Sequence, residues 1–247
     1  MRLLLDLGNT RVKWGVVDAT GGVVDMHAHA WPEVLNGALE QDWTHLPHPH
    51  DVWLASVVDD ARRQSVARSV EASLGQSPRW VSTPAAGCGV RIAYAEPQTL
   101  GVDRFLGMVA AHADGRSPCI LVSAGTALVL DALAGDGRHL GGLIAPGAGL
   151  MQQSVLGATA KVRPQSPGRL GEAGASTADA LVSGCWQACA ALVDRFATRM
   201  ADALDDVPTL LLSGGDAGTL ASLLEHPVTM YPDAVLKGLA TWAACEA

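Results

Sequence analysis

The chain has 247 residues, 49% of them apolar and 17% charged, with a formal net charge of −8 at pH 7. That length suits one large or two small domains, and the apolar share is enough for a well-buried core. The acidic balance argues against non-specific binding to nucleic acid or anionic membrane, so a site for a polyanion such as a nucleotide must be local, built from turns, helix ends and a few cations.

The first 30 residues read as a meander of three strands. Residues 3–7 read as the apolar run of a buried strand that delivers Asp6 close to the strand end, and Gly8-Asn9 is a pair suited to a tight hairpin. Val12, Trp14 and Val16 then alternate with Arg11, Lys13 and Gly15 as the returning strand, and Gly21-Gly22 makes the second reversal. A connector containing Pro32 leads to a fourth strand at 52–58, and Asp59-Asp60 caps a helix whose Val66, Val70 and Leu74 share a face. A short strand at 79–82 and a helix at 99–112 follow, closed by a turn at 114–118.

The pattern then restarts. Residues 119–123 form a buried strand ending in the small-residue turn Ala124-Gly125-Thr126, with return strands at 127–133 and 138–145. Ser176 with Asp179 is a capping-box-like start to a long helix carrying Leu181, Cys185, Ala188, Leu192 and Phe196. A strand at 209–213 ends in Gly214-Gly215-Asp216, and a helix at 234–245 closes the chain. The repetition predicts a duplicated α/β unit, divided into residues 1–116 and 117–247, with a nucleotide cleft between the halves.

Other clusters carry less chemistry. Cys88, Cys119, Cys185, Cys189 and Cys245 are odd in number and include no C-x-x-C pair, so neither a disulfide framework nor a zinc knuckle is supported. Cys185 and Cys189, four apart on a helix, read as buried apolar residues. His27 and His29 invite a metal reading, as do His45, His48 and His50. The second group lies in a Pro-rich loop without carboxylate or thiolate companions and reads as solvated. With no secretory leader and no run of 18 apolar residues, a cytoplasmic protein that does not enter membranes is expected.

Four motifs at strand ends and helix starts hold the candidate chemistry. In the first, Asp6 to Thr10 with Lys13, turn N–H groups and the Thr10 hydroxyl are donors, Lys13 is a cation, and Asp6 can hold a divalent metal through water. The competing reading is a polar hairpin whose Asp and Asn serve turn geometry. In the second, Gly101-Val102-Asp103-Arg104, the acid and the guanidinium diverge by about 100° around a helix, so both can line one concave site. Asp103 is then placed to act as a base, and Arg104 to bind a carboxylate or phosphate, unless Asp103 merely complements the helix dipole. Ser123 to Thr126 is a small-residue turn that lets phosphate approach, a weak signal by itself, and Gly141 to Gly147 is a glycine-flanked strand leading into a turn, which alone is structural more often than a site.

In this order the motifs resemble the type III pantothenate kinases, together with the related Bvg accessory factor proteins, within the acetate-kinase, sugar-kinase, Hsp70 and actin superfamily. The resemblance rests on D-L-G-N-T-R-V-K at 6–13, G-V-D-R at 101–104, A-G-T-A at 124–127, G-G-L-I-A-P-G at 141–147 and S-T-A-D-A-L-V-S-G at 176–184. It implies a duplicated ribonuclease-H-like fold, a homodimer with the long helix from Thr177 as a contact, and ATP-dependent phosphorylation of pantothenate, the first step toward coenzyme A. It implies that Asp6, Leu7, Gly8, Asn9, Thr10, Arg11, Val12 and Lys13 form the first phosphate loop, and that Thr126 contacts ATP. Gly101, Val102, Asp103 and Arg104 would hold pantothenate with Thr177 and Tyr94. Asp103 would accept the proton, and Asp6 would hold magnesium through water.

One position departs from the family pattern. The second phosphate turn usually reads D-x-G-T, its Asp helping to hold a monovalent cation, whereas this chain has Ser123. Asp131 lies five residues beyond Thr126, roughly 16 Å along the outgoing strand, and is no substitute. Dependence on potassium or ammonium is thereby put in question. So is turnover itself, which keeps two alternatives open: a catalytically weak accessory or regulatory protein of the same fold, and a kinase for another small acid or sugar.

Overall fold

In the computed structural model, which describes residues 1–159, 162, 166–204 and 208–246, β1 (Arg2–Leu7) runs antiparallel to β2 (Arg11–Val17), and β2 pairs with β3 (Val23–Ala30). Two short helices, α1 (Trp31–Leu35) and α2 (Ala38–Trp43), lead to β4 (Asp51–Ser56), which lies parallel to β1. After α3 (Asp60–Leu74) comes β5 (Arg79–Trp80), completing a sheet of order β3-β2-β1-β4-β5. A small hairpin of β6 (Ala86–Gly87) and β7 (Val90–Arg91) precedes α4 (Val102–Ala113).

The second sheet repeats the first. β8 (Cys119–Ala124), β9 (Ala127–Leu133) and β10 (His139–Pro146) form the meander, followed by α5 (Ala148–Ala158) and the long α6 (Thr177–Leu204). β11 (Thr209–Ser213), α7 (Ala217–Ala221) and β12 (Val228–Met230) complete the order β10-β9-β8-β11-β12, and α8 (Ala234–Cys245) ends the chain. In both sheets the first strand has an antiparallel neighbour on one side and a parallel one on the other. This is the duplicated ribonuclease-H-like arrangement.

The chain divides into two compact units, Met1–Arg116 with Asp233–Ala247, and Ser117–Pro232. The sequence-based division gave everything after residue 116 to the second half; that is corrected here, since α8 packs in the first unit against α4 and the central strands. The reason is steric as well as apolar. A Cβ at Gly238 would stand 1.9 Å from the Leu106 carbonyl oxygen, so the backbones of α8 and α4 touch where a glycine leaves room. Gly238→Ala gains about 1 kcal/mol of helix propensity, yet a backbone carbonyl cannot rotate away as a side chain can. A net loss of about 1–3 kcal/mol is expected, read as a lower denaturant midpoint. An unchanged midpoint would mean that the two helices separate freely.

The period of two along β1 layers the first unit. Leu3, Leu5 and Leu7 face a core shared with Val66, Val70 and Leu74 of α3, whereas Leu4 and Asp6 point to the opposite face. Asp59 caps α3 as expected, its Oδ1 accepting from the Arg62 N–H at 2.9 Å. The connector after β3 proves helical. Pro32 occupies the first turn of α1, where its missing N–H is tolerated, and the Ala30 N–H donates to Glu33 Oε2 at 2.8 Å. At α6 the box is one-sided: the Asp179 N–H donates to Ser176 Oγ at 3.1 Å, but the Asp179 carboxylate accepts from the Arg169 N–H at 2.7 Å.

Candidate active site

Antiparallel register places Lys13 directly opposite Asp6, so both side chains stand on the face of the first sheet that α8 covers. Asp233, at the N-terminus of α8, meets Lys13 with Oδ1 3.0 Å from Nζ. Asp103 joins from the first turn of α4. Asp6 therefore senses two further carboxylates and one ammonium group. Burial raises its pKa most, repulsion from Asp103 adds to this, Lys13 opposes it, Asp233 adds a little, and the outcome is about 7. Asp6 keeps a partly open face, so the raising comes from protein packed around the carboxylate and not from complete enclosure.

The turn after β1 centres on Asn9 and Thr10, one residue later than the Gly8-Asn9 pair the sequence suggests. The Gly8 N–H donates to the Arg11 carbonyl at 3.0 Å, which closes the turn around those two residues and engages one of the turn donors expected to face phosphate. Asn9 and Thr10 are exposed at its tip. The loop is braced from behind. Buried Trp31 donates through Nε1 to the Gly8 carbonyl at 2.9 Å, and the Arg62 guanidinium lies 4.9 Å from the Trp31 ring centre while its Nη1 stands 3.4 Å from the Asn9 carbonyl. Sequence reasoning missed both braces, since neither residue is near the loop in the chain.

The Gly101 to Arg104 segment is built around a missing side chain. A Cβ on Gly101 would lie 2.6 Å from Asp103 Oδ1, so glycine here opens the space that the carboxylate occupies. Asp103 Oδ1 accepts from the Arg104 N–H at 2.8 Å, which fixes its direction at the start of α4. Arg104 turns the other way, donating from Nη1 to the Tyr94 hydroxyl at 3.0 Å with its guanidinium 5.7 Å from the ring centre. Val102 is buried beneath them. Tyr94, Asp103 and Arg104 thus belong to one neighbourhood, as do Asp6 and Lys13 with Asp233, a residue the sequence gave no reason to single out.

The second unit holds the remaining candidates. Ser123, near the end of β8, and Thr126, on the turn to β9, are exposed, and the turn is pressed between glycines: a Cβ at Gly147 would lie 1.9 Å from the Gly125 carbonyl oxygen, and one at Gly214 2.1 Å from that of Ala124. The Asp216 N–H donates to the Ala124 carbonyl at 3.1 Å, bringing the G-G-D turn to the same place. Asp131 is buried against His139, with Oδ1 and Nε2 3.0 Å apart, and is committed there. Thr177 is the exposed first residue of α6.

His27 and His29 have protein partners. His29 Nε2 stands 2.6 Å from Asp42 Oδ2, which also accepts from Trp14 Nε1 at 2.9 Å, and His27 stacks on the Trp14 ring at 4.4 Å. No group of three or more His, Cys, Asp or Glu among the described residues is placed to hold a metal ion directly. No helix among them is long and apolar enough to cross a membrane.

A family model described as type III pantothenate kinase matches residues 2–199. The type III pantothenate kinase of Aromatoleum aromaticum is 37% identical, with 100% of this chain and 99% of that one covered. That of Paraburkholderia phytofirmans is 38% identical, with 98% and 94% covered. Among solved structures, the inorganic polyphosphate/ATP-glucomannokinase from Arthrobacter sp. strain KM aligns at a TM-score of 0.50 and 14% identity, covering 99% of this chain and 98% of that one, a likeness of fold.

Proposed function

The chain belongs to the type III pantothenate kinase family, and we propose that its transfer of phosphate from ATP to pantothenate, the first step toward coenzyme A, is carried by the carboxylates gathered in the first unit. Asp103 takes up the proton of the pantothenate primary hydroxyl as its oxygen attacks the γ-phosphorus; the bond from that phosphorus to the β,γ-bridging oxygen breaks, and the products are 4'-phosphopantothenate and ADP. Arg104, beside Tyr94, holds the pantothenate carboxylate, with Thr177 a further contact. Lys13 and the loop from Asp6 to Val12 hold the ATP phosphates, with Thr126 on ATP as well.

The observation that carries this reading is the meeting of Asp6, Lys13 and Asp103 on one face of the first sheet. A carboxylate pushed up to about 7 among other carboxylates suits a divalent cation, which restores its charged form. Asp6 is the residue proposed to hold magnesium, through water, and the metal when bound supplies charge neutralisation along the phosphates. A homodimer in the cytoplasm is proposed from the family; exposed Leu143 and Ile144 on β10 and Leu150 on α5 offer apolar surface for a second copy. The deciding experiment mixes purified protein, ATP and magnesium with pantothenate, sugars and acetate and weighs the products. Only pantothenate is expected to gain a phosphoryl group. ATP binding without transfer to any of them marks an accessory protein, and transfer to another acceptor marks a different kinase.

Ser123 gives a separate prediction. A hydroxyl and backbone carbonyls attract a weakly hydrated monovalent ion far less than a carboxylate does, and Asp131 is engaged with His139. Initial rates are therefore expected to change little when potassium is exchanged for a bulky organic cation, and Ser123→Asp is expected to create or sharpen a potassium dependence. Strong potassium activation of the natural protein would refute the loss of the cation site.

A further inference from the structure

The β6–β7 hairpin turns on Cys88 and Gly89, whose φ angles of 46° and 83° are both left-handed. Turns with positive φ at both central positions favour Asn, Asp or Gly at the first of them. Cysteine has no such advantage, and a non-glycine residue kept in that conformation points to a use for its side chain. The thiol is aimed at α8: Cys88 Sγ lies 2.8 Å from Cys245 Sγ, although 157 residues separate them.

The rest of the hairpin is shaped to make that approach. A Cβ on Gly87 would meet the Trp242 ring of α8 at 2.4 Å, and one on Gly89 would meet the His112 ring of α4 at 2.7 Å. Glycines on either side thus let the turn press onto both helices, with Cys88 between them. Trp242 is itself anchored edge-on against Phe105, with ring centres 5.4 Å apart.

We propose that Cys88 and Cys245 are a thiol–disulfide modification site, oxidised by a peroxide or a small-molecule disulfide, whose bond staples the hairpin to the C-terminal end of α8. The sulfurs need to close by less than about 1 Å to reach the bonded distance of about 2.05 Å. Cys245 is exposed and Cys88 half-buried, whereas Cys119, Cys185 and Cys189 are buried. Burial, the Cys245 thiol and the Glu246 charge push Cys88 up to about 12, so the exposed Cys245 meets the oxidant first.

With hydrogen peroxide, the Cys245 thiolate attacks one oxygen, the O–O bond breaks, and a sulfenic acid forms with loss of water once the released hydroxide is protonated. The Cys88 sulfur then displaces the sulfenic hydroxyl, and its own proton leaves with that hydroxyl as a second water. Two thiols have lost two electrons and two protons, and peroxide has become two waters. With a small disulfide the same bond forms through a mixed disulfide, releasing two small thiols. An exposed bond of this kind is open to reduction by external thiols.

The test uses the whole protein, treated with hydrogen peroxide in the folded state, then denatured, alkylated and weighed. Of five cysteines, three are expected to be alkylated, with a Cys88–Cys245 cross-linked peptide after digestion and return to five after dithiothreitol. The oxidised protein is expected to melt higher, by on the order of 5 °C. Cys88→Ser and Cys245→Ser should each lose both the cross-link and that gain. Five alkylated thiols, a cross-link through any other cysteine, or disulfide-linked dimers in place of the internal bond would overturn the proposal; the mapping of the natural protein decides it even if a variant folds poorly.

Discussion

Asp103→Asn is expected to lower turnover by about 10²- to 10⁴-fold, the contribution of a positioned general base, while the KM for ATP stays close to normal. Asn keeps the shape and still offers an oxygen to the Arg104 N–H, so the start of α4 should survive the change. What it removes is the ability to take a proton. Gly101→Ala approaches the same carboxylate from outside, because its Cβ would intrude to 2.6 Å of Asp103 Oδ1 and force that side chain to rotate. It should lower turnover less than Asp103→Asn does, since a rotated base still samples its working position. Steady-state kinetics on both variants checks this: near-normal turnover for Asp103→Asn reduces Asp103 to a helix-start residue. If only Gly101→Ala is impaired, the loop matters for its shape and not for its base.

The parts of the fold that were legible from the chain are those with a local signal. β9, β11 and α8 match their sequence-based boundaries because a periodic or continuous apolar run fixes each one. The repeat of strand, glycine turn and two return strands was likewise enough to predict two sheets of one topology. The two helices after β3 were hidden by Pro32, which marks a helix start as readily as a connector, and by an N-cap alanine where a hydroxyl or acid would have been the cue. α5 was hidden as well: its A-G-L-M-Q-Q-S-V-L-G-A run carries a glycine near each end and no acidic start.

Long-range pairings left no trace at all. Lys13 with Asp233, separated by 220 residues, and Cys88 with Cys245 follow from α8 returning to the first unit, and nothing local in residues 234–245 says which sheet they will cover. The same return explains why Asp233 escaped notice as a member of the site. By contrast Asp6, Lys13, Asp103 and Arg104 were visible because each sits where a strand ends, where its partner strand begins, or where a helix starts. Such positions also have structural uses for a charge, as a cap or in a turn, so it was their combination in one chain that drew attention to them.

Asp6→Asn is expected to separate function from stability, and the sign follows from the carboxylate's pKa. An Asp raised from 3.8 to about 7 binds its proton more tightly folded than unfolded, so the folded state is penalised whenever Asp6 is ionised. That penalty is absent below about pH 4, grows between 4 and 7, and is complete above 7. Its ceiling is about 4 kcal/mol, and screening through the open face of Asp6 brings it to about 1–2 kcal/mol. Asn carries no charge, so without metal or nucleotide the variant should melt roughly 2–8 °C above the natural protein at pH 8 and by clearly less at pH 5. Activity should move the other way, because the amide keeps the shape but cannot offset a dication's charge, and productive use of magnesium-ATP should fall strongly. With magnesium held at Asp6 through water, as proposed, protonation removes the charge that attracts it, so the magnesium needed for half-maximal rate should rise as pH drops below 7. Asp103→Asn removes one source of repulsion and should shift that rise to lower pH. Melting curves with the same gain at both pH values would show that Asp6 is an ordinary carboxylate. A normal magnesium titration of the variant would take the metal from Asp6 and leave Lys13 and the turn to hold the phosphates alone.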